Sequence, residues 1–222
     1  MTRPEIRVRP ASMRVTEIFF SIQGEGTRAG RPCVFVRFTG CDLRCGYCDT
    51  AYAFQGGREM TRAEIVAAIA GHPARLVCLT GGEPLLQRDL PELVRELLAQ
   101  GHEVTIETHG QRPLGELPRE AIRIVDVKTP GSGEVTTDFG YLDALALHDE
   151  VKFVVCSEDD FRWSREVVRR HRLEGRVHVL FSPAWGQVEP RDLVRWMLEA
   201  GLDARLSLQI HKVVWGPDAR GV

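Results

Sequence analysis

The sequence is short of long apolar runs and of any excess charge. It contains no stretch of about 18 consecutive apolar residues, which excludes a typical membrane-spanning helix. Residues 1–12 lack the apolar centre of a secretory signal, so we expect a cytoplasmic protein with no membrane contact. The formal net charge is −2 with both signs mixed along the chain, which argues against direct binding to nucleic acid.

Cysteine is also scarce, with six residues in a chain of 222. This number is too small for a scaffold held together by disulfides. Cys41, Cys45 and Cys48 lie close together in the sequence, and in a reducing compartment such spacing favours metal binding over cross-linking. Cys33, Cys78 and Cys156 lie inside predicted strands and are expected to be small core residues.

After residue 30, short β-branched runs alternate with amphipathic stretches, a pattern typical of α/β folds. The predicted strands are Pro32 to Phe38, Arg75 to Thr80, Glu103 to Thr108, Ile122 to Lys128, Glu150 to Cys156, Val177 to Phe181 and Arg205 to Ile210. No linker or repeat divides the chain, so residues 1–222 are predicted to form one domain. About six to seven mainly parallel strands predict a partial, open βα barrel, with a flat doubly wound sheet as the alternative.

Helix starts are marked by N-capping residues and by proline in a first turn. The predicted helices are Thr61 to Ala70, opened by a capping box with Glu64; Asp89 to Gly101; one capped by Ser157; one from Glu189-Pro190; and a weaker one at Thr137 to Leu147.

The three clustered cysteines occupy a loop that follows the first predicted strand. Thiolates are the usual ligands of iron–sulfur clusters, and three of them can hold a four-iron cluster with one iron open to an outside ligand. The alternative is a structural zinc site, which needs a fourth ligand from Cys33 or a histidine. Farther along, the paired glycines Gly81 and Gly82 end another strand and allow a backbone to approach a ligand closely.

The Cys-x3-Cys-x2-Cys spacing, with Tyr47 before the last cysteine, resembles the radical S-adenosylmethionine superfamily, as does Gly81-Gly82-Glu83-Pro84. The resemblance implies a [4Fe-4S] cluster on Cys41, Cys45 and Cys48 and S-adenosylmethionine on the open iron, cleaved to a 5′-deoxyadenosyl radical. A flavodoxin- or ferredoxin-type reductant would supply the electron. The residues implied to contact the cofactor are Tyr47, Asp49, Gly81, Gly82, Glu83, Lys128, Ser132 and Ser182. For Asp49 the alternative is a cap of the next turn.

Four segments, at residues 17–26, 36–41, 48–50 and 208–216, further resemble the 7-carboxy-7-deazaguanine synthases. This resemblance implies a carbon–nitrogen lyase that converts 6-carboxy-5,6,7,8-tetrahydropterin to 7-carboxy-7-deazaguanine and ammonia, on the route to queuosine, a modified tRNA nucleoside, and other 7-deazapurines. It also implies a homodimer, with Val213 to Val222 able to help build the site, and a Mg²⁺ ion held by Thr50.

A pterin presents a flat donor–acceptor edge and a carboxylate, which require an amide, an acid and a cation. Gln23 and Glu25 fit the edge and Arg37 fits the carboxylate, although Gln23 and Glu25 can also be read as turn residues. Arg37 can alternatively pair with Asp49 or Glu107, since a charge in a central strand needs a partner. The further residues expected to bind substrate are Gly24, Thr80, Thr108 and His211, while the role of His109 is open.

Two other functions remain consistent with the cysteine loop. One is an enzyme that activates a glycyl-radical protein, and the other is a non-enzymatic metal-binding module. The first would not need the segment Ser21-Ile22-Gln23-Gly24-Glu25-Gly26, and the second would hold zinc tightly without cleaving S-adenosylmethionine.

Overall fold

The structure is a computed structural model that describes residues 12–222. The expectation about a secretory signal therefore lies, apart from Ser12, outside the described residues. The described chain forms a nine-stranded sheet in the order β3-β1-β2-β4-β5-β6-β7-β8-β9. The strands are β1 Ser12–Ile22, β2 Pro32–Phe38, β3 Arg58–Thr61, β4 Leu76–Gly81, β5 Glu103–Thr108, β6 Ile122–Asp126, β7 Glu150–Val155, β8 His178–Pro183 and β9 Arg205–Leu206.

The sheet is open and mainly parallel, which confirms the predicted fold class. The run from β2 through β9, omitting β3, contains the seven predicted strands, and each pairs in parallel with its neighbour. β3 and β9 are the two edges, so the sheet does not close on itself. β1 and β3 add an antiparallel pair that the sequence pattern did not predict.

Five α-helices lie in the described residues, and the first four pack on one face of this sheet. They are α1 Arg62–Ala70, α2 Leu90–Ala99, α3 Glu158–Arg170, α4 Pro190–Ala200 and α5 Ile210–Trp215. The first four share the main apolar core with strand residues such as Val34, Val36 and Phe38, all fully buried. Cys33 and Phe35 belong to a second, smaller cluster on the opposite face, as the alternation along β2 predicted. The opposite face is therefore left free to line a cavity.

Helix starts follow the predicted signals at three of five positions. Thr61 and Glu64 form the capping box, Ser157 accepts a hydrogen bond from the Asp160 amide, and Pro190 opens α4. Asp89 lies at the predicted start of α2, but its carboxylate binds Arg62 instead of capping.

The helix predicted at 137–147 is wrong, because only a 3-10 turn forms there, at Gly140–Ala144. The Asp138 carboxylate accepts from the Gly140 amide in a local turn, which competes with a helical start. Within residues 12–222, no helix is both long and apolar enough to cross a bilayer.

The strand predicted at 205–210 is wrong after its first two residues. β9 ends at Leu206, and the chain then leaves the sheet to form α5. The Ile210 amide donates to the Gly24 carbonyl at 3.0 Å, which draws this segment over the loop between β1 and β2. That bond places the end of the chain beside the cavity described next.

Candidate active site

The free face of the sheet surrounds a cavity of about 460 Å³ at the carboxyl ends of the parallel strands. This is where βα folds bind their ligands. The predicted site residues that line it are Gln23, Gly24, Glu25, Arg37, Cys41, Cys45, Tyr47, Cys48, Asp49, Thr50, Thr80, Gly81, Gly82, Thr108, Lys128 and His211. Glu83, Ser132 and Ser182 do not line it; they are fully or almost fully buried behind its wall.

The cysteine loop, residues 40–50, joins β2 to the turn that precedes β3 and forms one wall. Its three thiols are half-buried and unpaired with one another. The Gly46 amide donates to the Ser132 carbonyl at 2.9 Å, which holds the middle of the loop. Burial raises the pKa of the Cys41 thiol and raises that of Cys45 to about 11. Metal binding at these thiols therefore releases protons.

These three thiols suit an iron–sulfur cluster better than a closed zinc site. Of the six cysteines, all in the described part of the chain, only these three line the cavity. Among the described residues, one set of side chains has ligand atoms close enough together to hold a metal ion, namely Cys41, Asp42 and His109. It contains one thiol, and Arg112 binds Asp42 at 2.8 Å, so it lacks the closed set of four ligands that structural zinc needs.

Gly81 and Gly82 are required by the packing of β4 against the cysteine loop. A Cβ atom on Gly81 would overlap the Phe38 backbone, and one on Gly82 would overlap the Gly40 carbonyl. The Glu83 amide donates to that same carbonyl at 2.8 Å. The two glycines therefore bring the end of β4 against the loop, and both line the cavity there.

His109 connects the cysteine loop to the end of β4. Its Nδ1 accepts from the Gln111 amide, so Nε2 carries the proton. Nε2 lies 3.0 Å from Asp42 Oδ1 and 3.1 Å from Glu83 Oε2. Glu83 also accepts from Thr108 Oγ1 at 2.8 Å, so its carboxylate is committed to this buried network.

Arg37 projects from β2 into the cavity, where its structural partner is Glu17 on β1. Arg37 Nε donates to Glu17 Oε1 at 2.8 Å, and the guanidinium lies over the rings of Phe19 and Tyr52. The expected alternatives Asp49 and Glu107 do not hold it. Among the described contacts only Nε binds an acceptor, so the two terminal nitrogens are able to fork onto a ligand carboxylate.

Gln23 and Glu107 form a polar edge deeper in the cavity. Gln23 Nε2 donates to Glu107 Oε1 at 3.3 Å, and Thr80 Oγ1 donates to Glu107 Oε2 at 2.7 Å. No cation in residues 12–222 lies within ion-pair distance of Glu107. This carboxylate therefore retains lone pairs for donors on a ligand.

Glu25 is the second carboxylate inside the cavity, and it is bound by two side chains. Lys152 Nζ and Gln209 Nε2 each lie 2.8 Å from one of its oxygens. Burial raises the pKa of Glu25, but the charge and hydrogen bond of Lys152 outweigh it, and the pKa lies below its usual range. Lys152 was missed by the sequence analysis, although a lysine inside the run Val151 to Val155 is a usable signal.

The neighbouring strand adds a further ion pair. Lys128 Nζ binds Asp126 Oδ2 at 2.8 Å, and Lys152 Nζ lies 3.7 Å from the same oxygen. Asp126 Oδ1 is buried with no hydrogen-bond partner. The ammonium of Lys128 also lies over the ring of Tyr47, 5.5 Å from its centre, which connects this pair to the cysteine loop.

The C-terminal segment covers the outer part of the cavity. Lys212 on α5 binds Asp49 at 2.6 Å. Burial raises the pKa of Asp49, but the charge and hydrogen bond of Lys212 have the larger combined effect and lower the pKa to about 2. A Cβ atom on Gly24 would overlap the His211 ring, so a side chain at this position would displace the histidine. Burial lowers the pKa of His211, which favours its neutral form. Thr50 Oγ1 donates to Asp49 at 2.9 Å.

The comparisons with known proteins agree with this architecture. The Radical SAM superfamily profile covers residues 35–180. The chain is 47% identical to the 7-carboxy-7-deazaguanine synthase of Koribacter versatilis, across 95% of this chain and 100% of that protein. It is 42% identical to the Chlorobaculum tepidum enzyme of the same name, across 96% and 98% of the two chains.

A solved structure supports the fold independently. The crystal structure of QueE from Escherichia coli superposes with a TM-score of 0.75 at 24% identity, over 89% of this chain and 94% of that one. Full-length similarity to named synthases and the superfamily match lead to one assignment. The chain belongs to the 7-carboxy-7-deazaguanine synthase family of the Radical SAM superfamily.

Proposed function

We propose that the cavity beneath the cysteine loop is where this radical S-adenosylmethionine-dependent lyase makes 7-carboxy-7-deazaguanine, a precursor of queuosine and related 7-deazapurines. The substrate is 6-carboxy-5,6,7,8-tetrahydropterin, and ammonia is the second product. One observation carries the assignment of the site: the three thiols and a set of groups complementary to a pterin line the same cavity. The cysteine loop alone would not specify the substrate.

Cys41, Cys45 and Cys48 would hold a [4Fe-4S] cluster with one iron open to S-adenosylmethionine. When bound there, the cofactor supplies the radical chemistry that the protein side chains lack. Gly81, Gly82 and Lys128 lie at the cavity wall beside the loop and fit the role of cofactor contacts. Glu83, Ser132 and Ser182 would act on the cofactor from behind that wall, by supporting the residues in front of them.

The pterin would lie between the floor of the cavity and α5. Its donor edge would face the carboxylates of Glu25 and Glu107, and Gln23 would pair with either a donor or an acceptor. The terminal nitrogens of Arg37 would bind its carboxylate. Thr80 orients Glu107 through its hydroxyl, and His211 lines the same cavity against Gly24. Thr108, bound to Glu83, would contribute from the rim.

Thr50 would bind a Mg²⁺ ion that also binds the substrate carboxylate. Its hydroxyl lies at the cavity wall beside Asp49, within reach of water-mediated contacts. A mostly hydrated Mg²⁺ ion needs few protein ligands, so one hydroxyl is sufficient.

The enzyme would work in the cytoplasm as a homodimer that takes electrons from a flavodoxin- or ferredoxin-type protein. The dimer is supported by exposed apolar side chains on and beside α5, at Trp185, Val213, Val214 and Trp215. Exposed apolar patches of this kind mark protein interfaces.

Anaerobic turnover with the pterin, S-adenosylmethionine and Mg²⁺, followed by mass spectrometry, tests the proposed function. The unmodified protein should bind about four irons and yield 7-carboxy-7-deazaguanine. Cys45→Ala should lose the iron and give no product. Cys156→Ala is the matched control, because this thiol lies near Cys45 but does not line the cavity, and it should keep both. Tightly bound zinc, or loss of iron in Cys156→Ala, would contradict the three-cysteine site.

A further inference from the structure

The two carboxylates Glu25 and Asp126 are joined inside the cavity by one lysine. Lys152 Nζ lies 2.8 Å from Glu25 Oε2 and 3.7 Å from Asp126 Oδ2. Lys128 is a second cation for Asp126, whereas Lys152 is the only described cation within ion-pair distance of Glu25. Loss of the Lys152 charge would therefore leave Glu25 without a direct counter-ion.

Lys152 reaches this position because β7 alternates between the two faces of the sheet. Val151 and Phe153 are fully buried in the apolar core, so Lys152 between them points to the cavity side. Its side chain is 13% exposed, so the ion pair is largely shielded from water. An ammonium in such a place is costly unless it is paired.

The other charged groups that face Glu25 do not replace Lys152. Asp49 on the cysteine loop raises the pKa of Glu25, because a second negative charge disfavours its ionised form. Burial lowers the pKa of His211 on α5 and so favours the neutral imidazole, which gives Glu25 no positive charge. Gln209 contributes a neutral hydrogen bond at 2.8 Å. Lys152 itself faces Asp126 and Glu107 besides Glu25.

We propose that Lys152 is a positioning residue for the substrate: it keeps Glu25 ionised and fixes its orientation, so that the carboxylate can accept the hydrogen-bond donors of the pterin. A carboxylate has about four lone-pair positions, and Lys152 with Gln209 occupies two of them. The remaining positions are available to the ligand. This inference rests on the proposed role of Glu25 in substrate binding.

The same strand also anchors the loop that carries Glu25. Two residues before Lys152, Glu150 accepts hydrogen bonds from Thr27 and from Arg28 Nη1. These contacts hold the loop in place, but they lie beyond Glu25 and do not touch its carboxylate. The backbone of the loop is thus fixed by Glu150, and the charge and direction of the Glu25 side chain depend on Lys152.

The experiment measures the affinity of the reconstituted enzyme for 6-carboxy-5,6,7,8-tetrahydropterin between pH 6 and pH 9, with S-adenosylmethionine present and reductant absent. In Lys152→Met the pKa of Glu25 should rise, because burial and Asp49 are then opposed only by the hydrogen bond from Gln209. Binding should be about tenfold weaker than in the unmodified protein at pH 6 and recover as the pH rises. Lys152→Arg keeps the positive charge, so its affinity for the pterin should stay constant between pH 6 and pH 9, as we expect for the unmodified protein.

Three companion variants separate the possible causes. Arg31→Met removes a cation that binds Glu103 near the same loop, and it should leave the affinity unchanged. Glu25→Gln should weaken binding equally at every pH, and Glu25→Gln combined with Lys152→Met should abolish the pH dependence. If Glu25→Gln binds normally, the proposed role of Glu25 fails; if it binds weakly while Lys152→Met loses affinity equally at all pH values, only the positioning role fails.

A direct measurement covers the case in which Lys152→Met does not fold. The infrared difference spectrum between the unmodified protein and Glu25→Gln reports the ionisation of Glu25. At pH 6 it should contain a carboxylate band from Glu25, and a protonated carboxyl band in its place would overturn the inference.

Discussion

Two groups of buried charges lie on neighbouring strands of this sheet and differ in how completely they are paired. In the floor cluster, formed by Thr27, Arg28, Glu103 and Glu150, Arg28 binds both carboxylates, at 2.6 and 2.9 Å. In the cavity cluster, formed by Glu25, Asp126, Lys128 and Lys152, one oxygen of Asp126 has no partner. Both clusters bury charge, but of the two only the cavity cluster retains a buried carboxylate oxygen without a hydrogen-bond partner among the described residues. Such an oxygen is available to a ligand.

The difference has a simple origin in β7. Glu150 and Lys152 are two residues apart and point to the same side of the sheet. Glu150 lies at the beginning of the strand, where the loop between β1 and β2 encloses it completely. Lys152 lies one step farther along, where the cavity begins. We expect the floor cluster to determine stability and the cavity cluster to determine substrate binding.

The largest effect should come from the floor cluster. Glu150→Gln removes a buried carboxylate that accepts charge-assisted hydrogen bonds from both Thr27 and Arg28, and it should lower the free energy of unfolding by about 3 kcal/mol. Urea denaturation of the unmodified protein and the variant gives the difference. The pH profile of pterin affinity should remain flat, since Glu25 keeps Lys152. A stability change below about 1 kcal/mol would remove the distinction between the two clusters.

An intermediate effect should come from the cavity cluster. Asp126→Asn removes the acceptor shared by Lys128 and Lys152 and should lower kcat/KM about 30-fold, equivalent to about 2 kcal/mol. The free energy of unfolding should fall by only about 1 kcal/mol, because Lys152 keeps Glu25 as a partner and the amide oxygen introduced at position 126 can still accept a hydrogen bond from Lys128. Steady-state kinetics and urea denaturation on the same sample compare the two quantities. A larger loss of stability than of activity would make this cluster structural as well.

The smallest effect should come from a site outside both clusters. Thr61→Ala removes the capping box of α1 and should lower the free energy of unfolding by about 1 kcal/mol. Thr61→Ser keeps the capping oxygen and serves as the control. Product formation should be unchanged in both variants, since α1 does not line the cavity.

The parallel strands β2 and β4 to β8 were predictable because each contains an apolar, β-branched run between turn residues, whereas β9 is shorter than predicted. The cysteine loop was predictable because its spacing is local in the sequence. β1 was not, since its residues alternate less clearly and its place between β3 and β2 depends on antiparallel pairing with both strands. The same holds for the Glu17 partner of Arg37, which lies across that pairing.

The pairing of Glu25 with Lys152 could not be predicted from the sequence, for a different reason. The two residues are separated by 127 positions, and their contact depends on the loop between β1 and β2 crossing to the start of β7. Periodicity determines on which face of a strand a residue lies, but not which residue far away in the sequence it contacts. Lys152 was therefore recognisable as an unusual inward charge, whereas its partner was not.

The contacts of α5 have a consequence for how the protein is made. Gln209, His211 and Lys212 complete the cavity through Glu25, Gly24 and Asp49, which precede them by some 160 residues or more. During synthesis the chain grows at about 5–20 residues per second, and N-terminal parts fold first. The thiols therefore emerge from the ribosome several seconds before the residues that close the substrate cavity. A nascent chain would accordingly be able to meet iron before it is able to retain a pterin.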